Sequence, residues 1–194
     1  VPDSARDAAI EIARKLDLKY SEALVKNRYI GRTFIMPVDE KRKSSVRQKL
    51  NPIASEIRGK KVLLVDDSIV RGNTSRAIVE MLREAGAKKV YFASYSPPLR
   101  YPCVYGIDMQ TKTEFVAQDA DEAAVARKIG ADKVIYQSLD ALKKAVQAEN
   151  PKIKNFCAAC FDGIYPTGDI TPDLLEDIEA DRKLAQDAQL ELNI

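Results

Sequence analysis

The chain of 194 residues contains no histidine and no tryptophan. The missing imidazole removes a Ser-His-Asp triad, a histidine general base and His-ligated zinc. Charge of either sign is nearly balanced: the formal net charge of +2 is too small to argue for a nucleic-acid partner. No apolar run approaches the ~20 residues that a membrane-spanning helix needs, so no membrane partner is expected. Cysteine is scarce. Cys103, Cys157 and Cys160 are an odd set, and Val1-Pro2-Asp3-Ser4 leads straight into a helical pattern with no secretory leader. A disulfide scaffold is therefore excluded, and a cytoplasmic protein is expected. The chain also starts without methionine, as if cut at the end of a strand.

What is present suits a packed α/β domain. Hydrophobic residues make up 45% and charged residues 31%. Ser4 is a candidate N-cap for a helix carrying Ala8, Ala9, Ile12, Ala13 and Leu16. A short strand is predicted over Glu22–Lys26. From Lys26 to Lys49 the chain turns basic, with Lys26, Arg28, Arg32, Lys41, Arg42, Lys43, Arg47 and Lys49 against Asp39 and Glu40. A loop of that length inside a domain is usually functional or disordered. Strands follow at Lys61–Val65, Val90–Tyr95 and Lys133–Tyr136. Between and after them come helices at Thr74–Ala85, Asp121–Ile129 and Leu139–Val146, with Gly86 and Gly130 as stops. Alternating strands and helices predict a doubly wound, mostly parallel sheet. The tail from Asp169 to Ile194 is acidic, and its apolar residues lie near helical spacing.

One segment concentrates chemistry. The apolar run Val62-Leu63-Leu64-Val65 delivers Asp66 and Asp67 to the carboxyl end of a strand, where ligands of open α/β sheets bind. Ser68-Ile69-Val70-Arg71-Gly72-Asn73 then turns into a helix beginning near Thr74-Ser75. The first N–H groups of a helix have no intrahelical partner and favour an anion. Gly72 permits close approach of a ligand, and Thr74 and Ser75 add hydroxyls. Two carboxylates beside a phosphate must be offset, by hydroxyl groups of the ligand or by a hard divalent cation such as Mg²⁺. A bare Asp-Asp pair more often only caps a turn. Here the strand before it, the turn after it and the basic loop upstream favour a site. The Walker and dinucleotide glycine patterns are both absent.

Val62–Ser75 resembles the phosphoribosylpyrophosphate-binding motif of type I phosphoribosyltransferases. Asp66-Asp67-Ser68-Ile69-Val70-Arg71-Gly72 points within them to the amidophosphoribosyltransferases, the glutamine-dependent enzymes that open purine synthesis. Val25-Lys26-Asn27-Arg28-Tyr29-Ile30-Gly31-Arg32-Thr33-Phe34-Ile35 looks like that family's active-site loop. Tyr105-Gly106-Ile107-Asp108 and Val134-Ile135-Tyr136-Gln137-Ser138-Leu139 are similar to it as well. The resemblance implies displacement of pyrophosphate by ammonia, normally drawn from glutamine. Asp66 and Asp67 would face the ribose hydroxyls and Mg²⁺, with Ser4 as a third metal contact. The turn Ser68 to Ser75 would bind the substrate, its Gly72-Asn73-Thr74-Ser75 end cradling the 5′-phosphate. Asp3 and Ser4 would lie on the pyrophosphate side, and the basic loop with Lys26 and Arg32 would close over it. Asn73 departs from the family's usual threonine and can still donate. The resemblance also implies a phosphoribosyltransferase domain over residues 1–168, an acidic terminal helix over 169–194, homo-oligomers and inhibition by purine nucleotides. The family's glutaminase half would lie before Val1. Another type I phosphoribosyltransferase and a non-catalytic phosphoribosylpyrophosphate-binding module are the alternatives.

Cys157-Ala158-Ala159-Cys160 is a C-x-x-C, open by spacing to a redox pair, half a zinc site or chance. One branch of the family carries a [4Fe-4S] cluster on four cysteines. Cys103, Cys157 and Cys160 match three of them, and the fourth would precede Val1. A cluster on these residues alone is expected to be absent or labile.

Overall fold

A computed structural model describes residues 1–27, 46–106 and 112–191. Helix α1 (Arg6–Lys15) leads into β1 (Leu24–Lys26), which pairs antiparallel with β2 (Leu50–Pro52). A helical turn, α2 (Ala54–Ile57), precedes β3 (Lys61–Asp66), and α3 (Asn73–Glu84) connects β3 to β4 (Lys89–Ser94). Then come a 3-10 turn at Lys112–Glu114, α4 (Glu122–Ile129), β5 (Lys133–Tyr136), α5 (Leu139–Glu149), the short α6 (Ala159–Asp162) and α7 (Pro172–Glu191).

The parallel sheet has the order β3-β4-β5. Register places Leu64 beside Phe92 and Asp66 beside Ser94, and Phe92 beside Val134. Side chains alternate along a strand, so Leu64, Val90, Phe92 and Val134 share one face. They are buried there in one core with Ile78, Val79 and Leu82 of α3 and Val125 and Ile129 of α4. Burying a Leu or Phe side chain contributes about 1.5–3 kcal/mol. The opposite face presents Leu63, Tyr91 and Ile135. These line an apolar cavity of about 920 Å³ with Ala9, Ile12 and Ala13 of α1. Among the described residues no helix is long and apolar enough to cross a membrane.

Local signals explain most helix ends. Asp121 and Ser138 cap α4 and α5 by accepting the N–H groups of Ala124 and Ala141. Gly130 closes α4 in the left-handed region at φ 76°. The expected cap at Ser4 does not form. The N-cap of α1 is Ala5, without a side-chain bond, and the Ser4 carbonyl accepts a bond from a different element, described below. The predicted strand Glu22–Lys26 is shorter, and its partner β2 has no counterpart in the sequence reading. Asn27 N–H donates to the Lys49 carbonyl at 2.7 Å, which extends the β1–β2 pairing. The two ends of the basic segment are thus tied together. Its middle, with Arg28, Arg32 and Lys41 to Lys43, lies outside the described residues.

Candidate active site

The carboxyl end of β3 carries Asp66 and Asp67, as the apolar run before them requires. Asp66 is only 8% exposed, whereas Asp67 is half-buried. Asp66 Oδ1 accepts the N–H of Asp67 at 3.0 Å, and the Ser68 hydroxyl donates to Asp67 Oδ1 at 3.2 Å. Burial, and next the negative charge of Asp67, push the Asp66 carboxyl up to about 6. Such a pair holds more negative charge than its surroundings offset. A divalent cation or hydroxyl donors would relieve it, so the donor set fits Mg²⁺. The Asp67 carboxylate and the exposed Ser4 border the same edge, and Ser4 belongs to a turn that begins at the amine of Val1. That amine donates to the Val65 carbonyl.

Beyond the acids the turn folds back as a cradle. Gly72 is the N-cap of α3 at φ 83°, and a Cβ built on it would stand 3.2 Å from both Ile129 and Val116 side-chain carbons. Only glycine combines that backbone region with that close packing. No side chain caps α3, so the N–H groups of Asn73, Thr74 and Ser75 stand at a helix start as an anion site requires. Asn73 and Thr74 are exposed, while the Ser75 side chain is buried and leaves its backbone N–H to serve. Ile69 is 1% exposed and belongs to the core. The Val70 carbonyl accepts the N–H of Val116 at 2.9 Å, and Arg71 forms an ion pair with Glu114 at 2.6 Å. Ile69, Val70 and Arg71 therefore shape the turn from behind. These contacts hold the turn that the sequence reading assigned to the substrate.

A second turn lies alongside. The Pro2–Asp3 peptide is cis, and the Asp3 carboxylate pairs with Lys26 Nζ at 3.0 Å. Lys26 closes β1, and Lys49, whose ammonium is pushed down by burial and then by the Lys26 charge, stands near it. Sequence reasoning missed Tyr95, one residue past β4. Its hydroxyl donates to the Ser4 carbonyl at 3.3 Å. Burial, then the charges of Asp67 and Asp66, push its phenol up. Its place one residue past the end of β4, level with Asp67 one residue past the end of β3, was the available signal. Arg32 lies outside the described residues.

The phosphoribosyl transferase domain family matches residues 2–96. The chain is 58% identical over 182 residues to the amidophosphoribosyltransferase of Pasteurella multocida, covering 94% of this chain and 36% of that protein. It is 55% identical over 182 residues to the Haemophilus influenzae amidophosphoribosyltransferase, again 94% of this chain and 36% of the relative. The chain belongs to the amidophosphoribosyltransferase family. It spans little more than a third of the length of the curated relatives it matches. Its fold is that of the type I phosphoribosyltransferases. The glutamine phosphoribosylpyrophosphate amidotransferase from B. subtilis, solved with ADP and GMP, superposes with a TM-score of 0.73 at 42% identity, covering 90% of this chain and 39% of that one.

The cysteines form a separate region. Arg100 and Tyr101 both donate their N–H groups to the Cys160 carbonyl, tying the segment that holds Cys103 to α6. Burial first, and further down the order the charges of Cys103 and Cys157, push the Cys160 thiol up. The three are thus near one another. Yet no group of three His, Cys, Asp or Glu side chains among the described residues could hold a metal ion.

Proposed function

We propose that the chain binds phosphoribosylpyrophosphate with a divalent cation and transfers the phosphoribosyl group to ammonia, giving phosphoribosylamine and pyrophosphate. The observation that supports this reading is the adjoining of an acidic pair, buried Asp66 and half-buried Asp67, and an uncapped helix start at Asn73 to Ser75. A ribose 5-phosphate needs both: hydroxyls donate to the carboxylates, and the phosphate accepts from the helix N–H groups. Each charge-assisted bond of that kind is worth about 1.5–3 kcal/mol.

The C1′–oxygen bond to pyrophosphate breaks, a C1′–nitrogen bond forms, and the ammonium product loses a proton to water. Positive charge grows on the sugar as the bond breaks, and the carboxylates of Asp66 and Asp67 are placed to stabilise it. Mg²⁺, held by Asp66, Asp67 and Ser4, would neutralise charge on the departing pyrophosphate when bound. Lys26 adds a positive charge on the side of the Asp3–Ser4 turn, with Arg32 assigned the same task. No histidine base is required, in accord with the composition. The reaction uses none of the three cysteines. We assign the reaction to the cytoplasm and to a homo-oligomer. Purine nucleotides are assigned as inhibitors, since a nucleoside monophosphate offers the same ribose and 5′-phosphate to the same groups.

The test is pyrophosphate release by these 194 residues. Turnover is expected with ammonium and Mg²⁺, and is expected to be absent with glutamine. Turnover driven by glutamine alone, or by ammonium in excess chelator, would contradict the reading.

A further inference from the structure

The β3–β4 ladder ends at Asp66 and Ser94, and the two chains stay bonded through the bend that follows. Tyr95 N–H donates to the Asp66 carbonyl at 3.2 Å, and Ser96 N–H to the Asp67 carbonyl at 3.1 Å. Tyr95 lies close enough to Asp67 and Asp66 to feel both their charges. The Tyr95 hydroxyl crosses from there to the Ser4 carbonyl at 3.3 Å. Two residues upstream begins the Pro2–Ser4 turn, and its Asp3 holds Lys26. Tyr95 thus joins three pieces that sequence keeps apart: the acidic pair, the turn before α1 and the end of β1. Its ring is 37% exposed at this edge rather than sunk in the core.

We propose that Tyr95 is a positioning residue for the pyrophosphate half of the site. Its hydroxyl fixes the Pro2–Ser4 turn so that the turn and Lys26 face the leaving group. The inference rests on the phosphoribosyl reading above. It adds to that reading the brace itself, the Tyr95 hydroxyl on the turn of the pyrophosphate side. The α3 start serves the 5′-phosphate, and the turn braced by Tyr95 serves the pyrophosphate.

Tyr95→Phe keeps the ring and removes only the hydroxyl, whose bond is exposed, so the variant is expected to melt with the parent chain. Calorimetric titration would compare three probes: ribose 5-phosphate, pyrophosphate with Mg²⁺, and phosphoribosylpyrophosphate with Mg²⁺. Losing one hydrogen bond of ordinary net strength weakens binding about five-fold. That loss is expected for both pyrophosphate-bearing probes, with ribose 5-phosphate unchanged. In the ammonia assay KM for phosphoribosylpyrophosphate rises by a similar factor while kcat stays within about two-fold. Equal weakening of all three probes, or none, overturns the proposal and leaves the acidic-pair site standing. A parent chain that binds none of the three overturns the phosphoribosyl reading itself, and the inference with it.

Discussion

Asp66 illustrates how one residue's burial trades stability for a site. Its folded carboxyl titrates near 6 against an ordinary value of 3.8. A raised acid binds its proton more tightly folded than unfolded, so stability falls as pH rises through the window from about 4 to about 6. A shift of that size corresponds to a loss on the order of 3 kcal/mol. Asp66→Asn is therefore expected to raise the melting temperature at pH 7.5 in metal-free buffer, and to change it little at pH 4. The same substitution, combined with Asp67→Asn, should lower ammonia-dependent turnover by 100-fold or more, about 2.7 kcal/mol or greater in barrier. A double variant with undiminished pyrophosphate release would remove both carboxylates from the site. Arg71, within the turn that the sequence reading assigned to the substrate, pairs its guanidinium with Glu114 at 2.6 Å.

At the scale of elements, two contacts decide how firmly the cradle and the sheet are held. Gly72→Ala places a methyl at a left-handed N-cap, 3.2 Å from Val116 and Ile129 carbons. It is expected to destabilise by about 1–3 kcal/mol and to weaken ribose 5-phosphate binding as α3 shifts, measured by denaturant melts and titration. Asp132 braces β4 from the turn before β5. Its carboxylate accepts the Val90 N–H at 2.8 Å and pairs with Arg83 at 2.7 Å. The Val90 bond, followed by Arg83, holds its carboxyl below the ordinary 3.8. A lowered acid contributes stability that is present above its unfolded value and fades as pH falls through the folded one. Asp132→Ala should cost about 1–2 kcal/mol at pH 7 and progressively less below pH 4. An unchanged difference across that range would show the brace to be uncharged.

The sequence made α3, α4, β3 and β5 readable because their signals are local: an apolar period, a capping Asp or Ser, a closing glycine. The acidic pair and the helix start were equally readable, since both lie in one continuous segment. β2 was not, because a three-residue strand ending in Pro52 carries no period and exists only through its distant partner β1. The Ser4 cap did not form because α1 begins at Arg6, which puts Ala5 and not Ser4 at the N-cap position. Tyr95 and Glu114 entered the site region through register and long-range contact, which no spacing rule encodes.

For the whole molecule, the two faces of the sheet are unequal. One is sealed by α3 and α4, and on the other Ile135 remains 41% exposed beside the α1 cavity. Among the described residues helix α7 contributes none to the core cluster, and its Leu174 and Leu184 are exposed. Removing residues 169–194 is expected to shift the melting temperature by less than about 2 °C and to leave ribose 5-phosphate affinity unchanged, because the described core is built from earlier residues. A large drop would show that the tail belongs to the folding unit, and that a boundary at residue 168 divides it wrongly.

The bonds that reach the Ser68–Gly72 turn from Val116 and Glu114 also bear on time. A loop that must organise around its ligand puts a slow step between encounter and capture. This one is held in shape by a segment more than forty residues further along the chain. Its association rate should therefore follow diffusion and ionic strength, with a single exponential phase in rapid mixing.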